Sequence, residues 1–322
     1  MVMATLQARP YHQHMGSRRR LTMARVIALI GLVATGLTAS AASASTAHAT
    51  TPLPAPVHCP NCWHPKLHSR WQYQLQAGRG HASTGGINVT LSGPRKRGGA
   101  DVSPKVWDID LFVDQVVSGN STTLNSGAVD AIHGNGGHVI CYVDAGTWEN
   151  WRADAGRFPA SVLGKHNGWP GERWLDIRQL PTLRPIMSAR VRKCQKAGFD
   201  GVEFDNVDGY TNQTGFPLTG RDQLHYDMYL ANLAHRHGLS VALKNDVGQL
   251  KRLKPYFDYS INEQCMQYHE CAGLARWTAS GKAVYEVEYR TTAFNCKRSN
   301  AWNFNAIYKH TSLYARPWTP CR

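Results

Sequence analysis

Several chemistries have no signature in this chain. It holds no Gly-x-Ser-x-Gly elbow, which excludes a serine hydrolase built on that turn. It holds no His-Glu-x-x-His pair, which excludes the corresponding zinc protease. A Gly-x-Gly-x-x-Gly fingerprint and a phosphate loop are both missing, so nothing points to a nucleotide cofactor. No recognition helix or aromatic RNA-binding signature appears, and no nucleic-acid partner is expected. The one extended apolar stretch near the start, Val26 to Thr38, is too short to span a bilayer comfortably. No second block of distinct composition follows it, which favours one large domain over two small ones.

Acids are scarce: 22 Asp and Glu against 36 Lys and Arg give a formal charge of +14. Part of that excess belongs to residues 1–49, which hold five arginines and no acid, so the remainder carries 14 − 5 = +9. Arg18, Arg19, Arg20 and Arg25 precede the apolar stretch, and Ala42-Ser-Ala44 and Ala47-His-Ala49 offer small-x-small cleavage sites. Residues 1–49 therefore read as a secretory signal, residues 50–66 as a Pro/Ala-rich linker, and residues 67–322 as the one large domain. Eight cysteines, all beyond the signal, form an even set in an exported chain and read as disulfides. Cys265 with Cys271 closes a short loop and Cys296 with Cys321 ties down the C-terminus. Cys141 with Cys194, and Cys59 with Cys62, follow by elimination. Cys59-Pro-Asn-Cys62-Trp-His64 is also half of a zinc site, but no second Cys/His pair follows at finger spacing. No metal is expected.

Eight short apolar runs alternate with helical patterns. They begin at Trp71, Val106, His138, Val202, Ser240, Tyr259, Ala283 and Phe304. Helices are predicted over Leu183–Ala197 and Arg221–His237, with Gly198 and Gly238 just past their ends. Strand–helix alternation on this scale argues for a closed (β/α)8 TIM barrel. Two long connections, Gly78–Lys105 and Thr147–Leu180, follow strands and should shape a cleft on the C-terminal face.

Asp110, Asp144, Asp205, Asp246, Glu263 and Glu288 all fall at or near strand ends. A single strand-end acid usually caps a helix or sits on the surface; so many on one rim suggest an active site. Alternation sharpens the choice. If Val202 and Phe204 pack outward, Glu203 and Asp205 point inward, with Glu203 one layer deeper and in need of a partner such as Lys244. The same logic turns Glu263 inward with Tyr259 and Ile261. Asp205 and Glu263, on two strands, suit the acid/base and nucleophile of glycosidic bond cleavage. Trp148, Trp151, Trp169, Trp174 and Tyr210 suit stacking on sugar rings or ordinary packing.

Gly198-Phe-Asp-Gly-Val-Glu-Phe-Asp-Asn-Val-Asp-Gly-Tyr210, Leu243-Lys-Asn-Asp246, Asn262-Glu-Gln-Cys265 and Cys141-Tyr-Val-Asp-Ala-Gly146 closely resemble glycoside hydrolase family 114. So do Trp148-Glu-Asn-Trp151 and Gly171-Glu-Arg-Trp-Leu-Asp-Ile177. The resemblance implies endo-α-1,4-polygalactosaminidase activity on a (β/α)8 barrel, with a retaining mechanism. It implies Asp205 as nucleophile and Glu263 as acid/base. Asp110, Asp144, Trp148, Asp176, Asn206, Asp208, Tyr210, Lys244, Asn245, Asp246 and Glu288 are expected to contact substrate. Phe204 stands where many relatives have Pro, Asp144 where Ser is common, and the 78–105 loop is longer, which bears on substrate preference. A cationic galactosamine polymer would be drawn to an acidic rim. The expected protein is a secreted monomer with no cofactor and no stable membrane insertion. The competing reading is a non-catalytic carbohydrate-binding or cell-surface protein on a degenerate barrel.

Overall fold

The computed structural model describes residues 52–322 except Arg97, Asn120 and Ser121. The expected signal segment lies outside the described residues. Eight parallel strands follow one another around a barrel: β1 (Trp71–Gln74), β2 (Val106–Asp110), β3 (His138–Asp144), β4 (Gly201–Asp205), β5 (Ser240–Lys244), β6 (Tyr259–Glu263), β7 (Val284–Glu288) and β8 (Asn305–Tyr308). Each pairs with its sequence neighbour, as successive right-handed β-α-β units dictate. This is the (β/α)8 barrel expected from the eight apolar runs.

Period-2 alternation divides the core. Trp71, Tyr73, Ile140, Tyr142, Ala242, Tyr259, Ile261 and Tyr285 pack together in one buried cluster, the barrel interior. Trp107, Ile109, Val139, Cys141, Val202, Phe204, Val241 and Leu243 belong to the second, which also holds the apolar faces of the helices. The interior is packed with aromatic rings and is not a pore. No ladder joins β1 to β8 among the described residues. Side chains and the C-terminal segment close that seam. Trp71 Nε1 donates to Asn305 O at 2.7 Å, and Trp318 Nε1 donates to Trp71 O at 2.8 Å. The short strand Thr319–Pro320 runs antiparallel beside β8.

The helix Leu180–Lys196 covers β3 and β4, and the Cys141–Cys194 disulfide ties it to β3. The helix Gly220–Arg236 starts with a reciprocal cap between Thr219 and Asp222. The other three disulfides join Cys59–Cys62, Cys265–Cys271 and Cys296–Cys321, so the eight cysteines pair as the sequence suggests.

The stretch read as a linker is fastened to the barrel where it is described. Pro54 O accepts from Tyr256 at 2.5 Å, and Ala55 O from Asn232 at 2.8 Å. Val57 N donates to Asn232 Oδ1 at 2.7 Å, and Trp63 stacks on His138 at 4.6 Å. A proline-rich segment lacks donors but still presents carbonyls, and here those carbonyls meet side-chain donors.

The Thr147–Leu180 connection folds into an antiparallel three-stranded sheet of Thr147–Glu149, Leu163–His166 and Glu172–Leu175. It rises from the end of β3, on the face where the strand-end acids lie.

Candidate active site

Four consecutive strands supply the centre of the site. On β4, Glu203 is fully buried and Asp205 lies one layer above it, as alternation requires. Lys244 ends β5 with its side chain 1% exposed. Its Nζ lies 2.8 Å from Glu203 Oε1, 2.9 Å from Asp205 Oδ1, 3.1 Å from Tyr73 Oη and 3.5 Å from Glu263 Oε2. Asp205 and Glu263 thus share one ammonium. Their facing oxygens lie within 6.4 Å of each other, the sum of the two distances. Burial would lower the Lys244 pKa, but the charges of Asp205, Glu203 and Glu263 outweigh it and hold it well above the ordinary lysine range.

Asp205 is equally determined. Its Oδ2 accepts from Tyr142 on β3 at 2.7 Å, and its Oδ1 accepts from Asn206 N at 2.8 Å. Burial alone would raise its pKa; the Lys244 charge and these hydrogen bonds reverse the sign, so it stays an anion. Glu263 is more open, at 26% exposure against 18% for Asp205. Tyr289 donates to its Oε1, and Asn245 Oδ1 accepts from its backbone N at 2.9 Å. One carboxylate is pinned as the anion and the other stands nearer solvent.

The residue after each of these strand ends turns left-handed: Asn206 at φ 60°, Asn245 at 49° and Gln264 at 63°. Such non-glycine positions carry strain that the surrounding structure must hold, and they cluster at functional sites. Asparagine tolerates this region best. The turn at Asn206 also needs a close neighbour: a Cβ on Gly146 would lie 1.7 Å from Asn206 O. Only glycine fits there.

The other residues expected to contact substrate have different surroundings. Asp144, Asn206, Asp208, Tyr210, Asn245 and Asp246 surround the pair. Asp144 is 1% exposed and accepts from Thr147 N at 2.8 Å, from Thr147 Oγ1 and from Asn206 Nδ2 at 2.9 Å. Asp208 has its pKa raised to about 6 by burial and by Asp205. Asp246 accepts from Tyr210 Oη at 3.0 Å and is raised to about 8, mainly by burial. Lys244 is the charge centre described above, not a surface contact. Asp110 and Asp176 are tied up in ion pairs, Asp110 with Arg152 at 2.7 Å and Asp176 with Arg178 at 2.7 Å. Trp148 donates its indole N–H to Ala155 O at 3.1 Å and packs against the outer core. Glu288 lies on the outward side of β7, where its Oε1 accepts from Met266 N at 2.8 Å. There it caps the turn Cys265–Tyr268 and does not face the cleft.

Sequence reasoning missed Tyr142 and Tyr289, the hydroxyls on Asp205 and Glu263. The same alternation would have found both, since Tyr142 shares a face with Asp144, and Tyr289 with Tyr285 and Val287. It also missed Glu149 and Glu172, which with Asp144 bring three carboxylate oxygens within 4.8 Å of one another. This is the one such group among the described residues with spacing fit for a metal ion. Its carboxylates are already engaged by Thr147, Asn206, Arg152 and Asn167.

The model of glycoside-hydrolase family GH114 matches residues 54–321. The chain belongs to glycoside hydrolase family 114. It is a glycoside hydrolase, and the match begins inside the proline-rich strap fastened to the barrel. A crystal structure of Aspergillus fumigatus Ega3 in complex with galactosamine is similar at 30% identity and a TM-score of 0.67, covering 81% of this chain and 98% of that one. The glycoside hydrolase domain of PelA from Pseudomonas aeruginosa shares the fold at 13% identity and a TM-score of 0.53, covering 76% of this chain and 96% of that one. No curated protein sequence matches the chain significantly.

Proposed function

We propose that this family 114 member is a secreted, endo-acting hydrolase of α-1,4-linked galactosamine polymer that works by retention. The observation that carries the reading is Lys244 Nζ held between Asp205 and Glu263 at 2.9 and 3.5 Å. One ammonium within reach of both carboxylates keeps them close together, which supports the compact pair of a retaining enzyme. Asp205, pinned as an anion, attacks the anomeric carbon. Glu263 protonates the departing glycosidic oxygen and then takes a proton from the water that releases the glycosyl-enzyme. Lys244 stabilises the anion before attack and the carboxylate regenerated afterwards. The galactosamine in the similar Aspergillus structure supports an amino-sugar substrate. Four disulfides in the described residues and the basic, apolar, small-residue order of residues 1–49 support export. No helix among the described residues is long and apolar enough to cross a membrane. The test is reducing-end release from de-N-acetylated galactosaminan, with the acetylated polymer and chitosan as comparisons. Release from chitosan alone would overturn the substrate assignment.

A further inference from the structure

Of the aromatic side chains that the sequence offers for sugar stacking, the structure withdraws three. Trp174 is 3% exposed, and Trp148 and Tyr210 are only partly exposed. Two stand out instead: Trp151 is 43% exposed and Trp169 50%. Both lie on the antiparallel insertion, just beyond its paired strands Thr147–Glu149 and Glu172–Leu175. Their backbones are held. Trp169 N donates to Asn167 Oδ1 at 3.0 Å, its carbonyl accepts from Glu172 N at 3.2 Å, and Asn150 N donates to Gly171 O at 3.1 Å. Gly171, at φ 84°, lets the Trp151 ring lie close, since a Cβ there would come within 2.8 Å of it. The feet of the same strands carry Glu149 and Glu172, whose carboxylates join Asp144 beside Asn206, the residue after Asp205.

We propose that Trp151 and Trp169 form a distal stacking platform for amino-sugar units several residues away from the cleaved linkage. The inference rests on the functional reading above. An indole face suits the apolar face of a sugar ring, and its quadrupole also attracts an ammonium group. At the foot of the platform the partly exposed Glu172 suits the same cationic chain, while Glu149 and Asp144 are buried and engaged. Such a platform engages only substrates long enough to reach it, so it favours long polymer over short oligomers.

The test uses the full-length Asp205→Asn protein, which binds without cleaving. Its affinity is measured for long de-N-acetylated galactosaminan and for galactosamine oligomers of about four sugars. Adding Trp151→Ala and Trp169→Ala should weaken binding of the long polymer about tenfold and narrow the preference for long over short. The matching Trp→Phe pair should keep most of the affinity, because it keeps a stacking face, whereas mere support of the loop would not be restored in this graded way. If the long polymer binds and the double alanine variant keeps the full preference, the platform is refuted while the functional reading stands. If Asp205→Asn binds no galactosaminan and the wild type cleaves none, both fall together.

Discussion

The Lys244 ammonium reaches three carboxylates from a position with almost no solvent. Removing one partner of a buried ion pair costs about 3–5 kcal/mol, because the charges left behind are neither solvated nor paired. Lys244→Met should lose stability of that order and activity on the order of a hundredfold or more. The stability gap has a defined pH window. The raised lysine pKa makes its contribution complete below the unfolded value of about 10.4 and lost as pH rises through the folded value. The lowered Asp205 pKa makes its share present above about 3.9 and lost as pH falls through the folded value. Melting temperatures of wild type and Lys244→Met should therefore differ by a constant amount through neutral pH and converge at both extremes; a gap that rose or fell steadily between about pH 5 and 9 would contradict the charge assignment. Asp246 works in the opposite direction. Its pKa is raised to about 8 by burial, so the native protein holds a proton that the unfolded chain has released, and stability declines from about pH 4 to about 8. Asp246→Asn should remove that decline, with its advantage in melting temperature growing across this range. For the reaction itself, Asp205→Asn and Glu263→Gln should fold and lose a thousandfold or more in rate. Retention of a tenth of normal activity by either would remove it from the catalytic pair. Rescue by azide of one variant alone would identify the nucleophile.

Barrel strands are buried on both faces, so each reads as a compact apolar run, and all eight appear within two residues of where the sequence places them. Strand-end chemistry was readable for the same reason: once the alternating face is known, Glu203 must lie beneath Asp205. The insertion was legible only as a long connection. Its strands, such as Leu163-Gly-Lys-His166, are short, partly exposed and lack period-2 alternation, so only pairing with one another defines them. The proline-rich strap misled in a different way. Its composition signals the lack of donors, but its carbonyls find Tyr256 and Asn232 through the folded helix and loop. The Cys141–Cys194 link between β3 and its covering helix spans 53 residues of sequence. Constraint of the unfolded chain by a loop of that length is worth about 4 kcal/mol. Cys141→Ser/Cys194→Ser should lower the melting temperature by several degrees more than loss of Cys59–Cys62, which closes a separation of only 3 residues. Equal losses from the two pairs would argue against the loop-constraint account.

Across the whole molecule, a basic body carries its acids where a cationic polymer would be cut. The rim differs from a plain count of acids, since Asp110 and Asp176 are neutralised by Arg152 and Arg178. Attraction would then fall to the negative charge that Lys244 leaves uncompensated at Asp205 and Glu263, and to the partly exposed Asp208 and Glu172. Full N-acetylation of the polymer should strongly reduce turnover. The preference for free amines should shrink as salt rises, because exposed charges are screened over about 10 Å at 0.1 M ionic strength. Equal cleavage of acetylated and free polymer at low and high salt would show that the acids serve structure alone. The sequence by itself determined the barrel and the family, and it singled out the two proposed acids, because hydrophobic period, strand ends and local motifs are all one-dimensional signals. The tertiary structure decided which acids are free to act. Lys244 beside three carboxylates, Arg152 on Asp110, Tyr289 on Glu263 and Glu288 turned to the outside are contacts between distant segments, and a charge's role depends on the neighbours that folding brings to it.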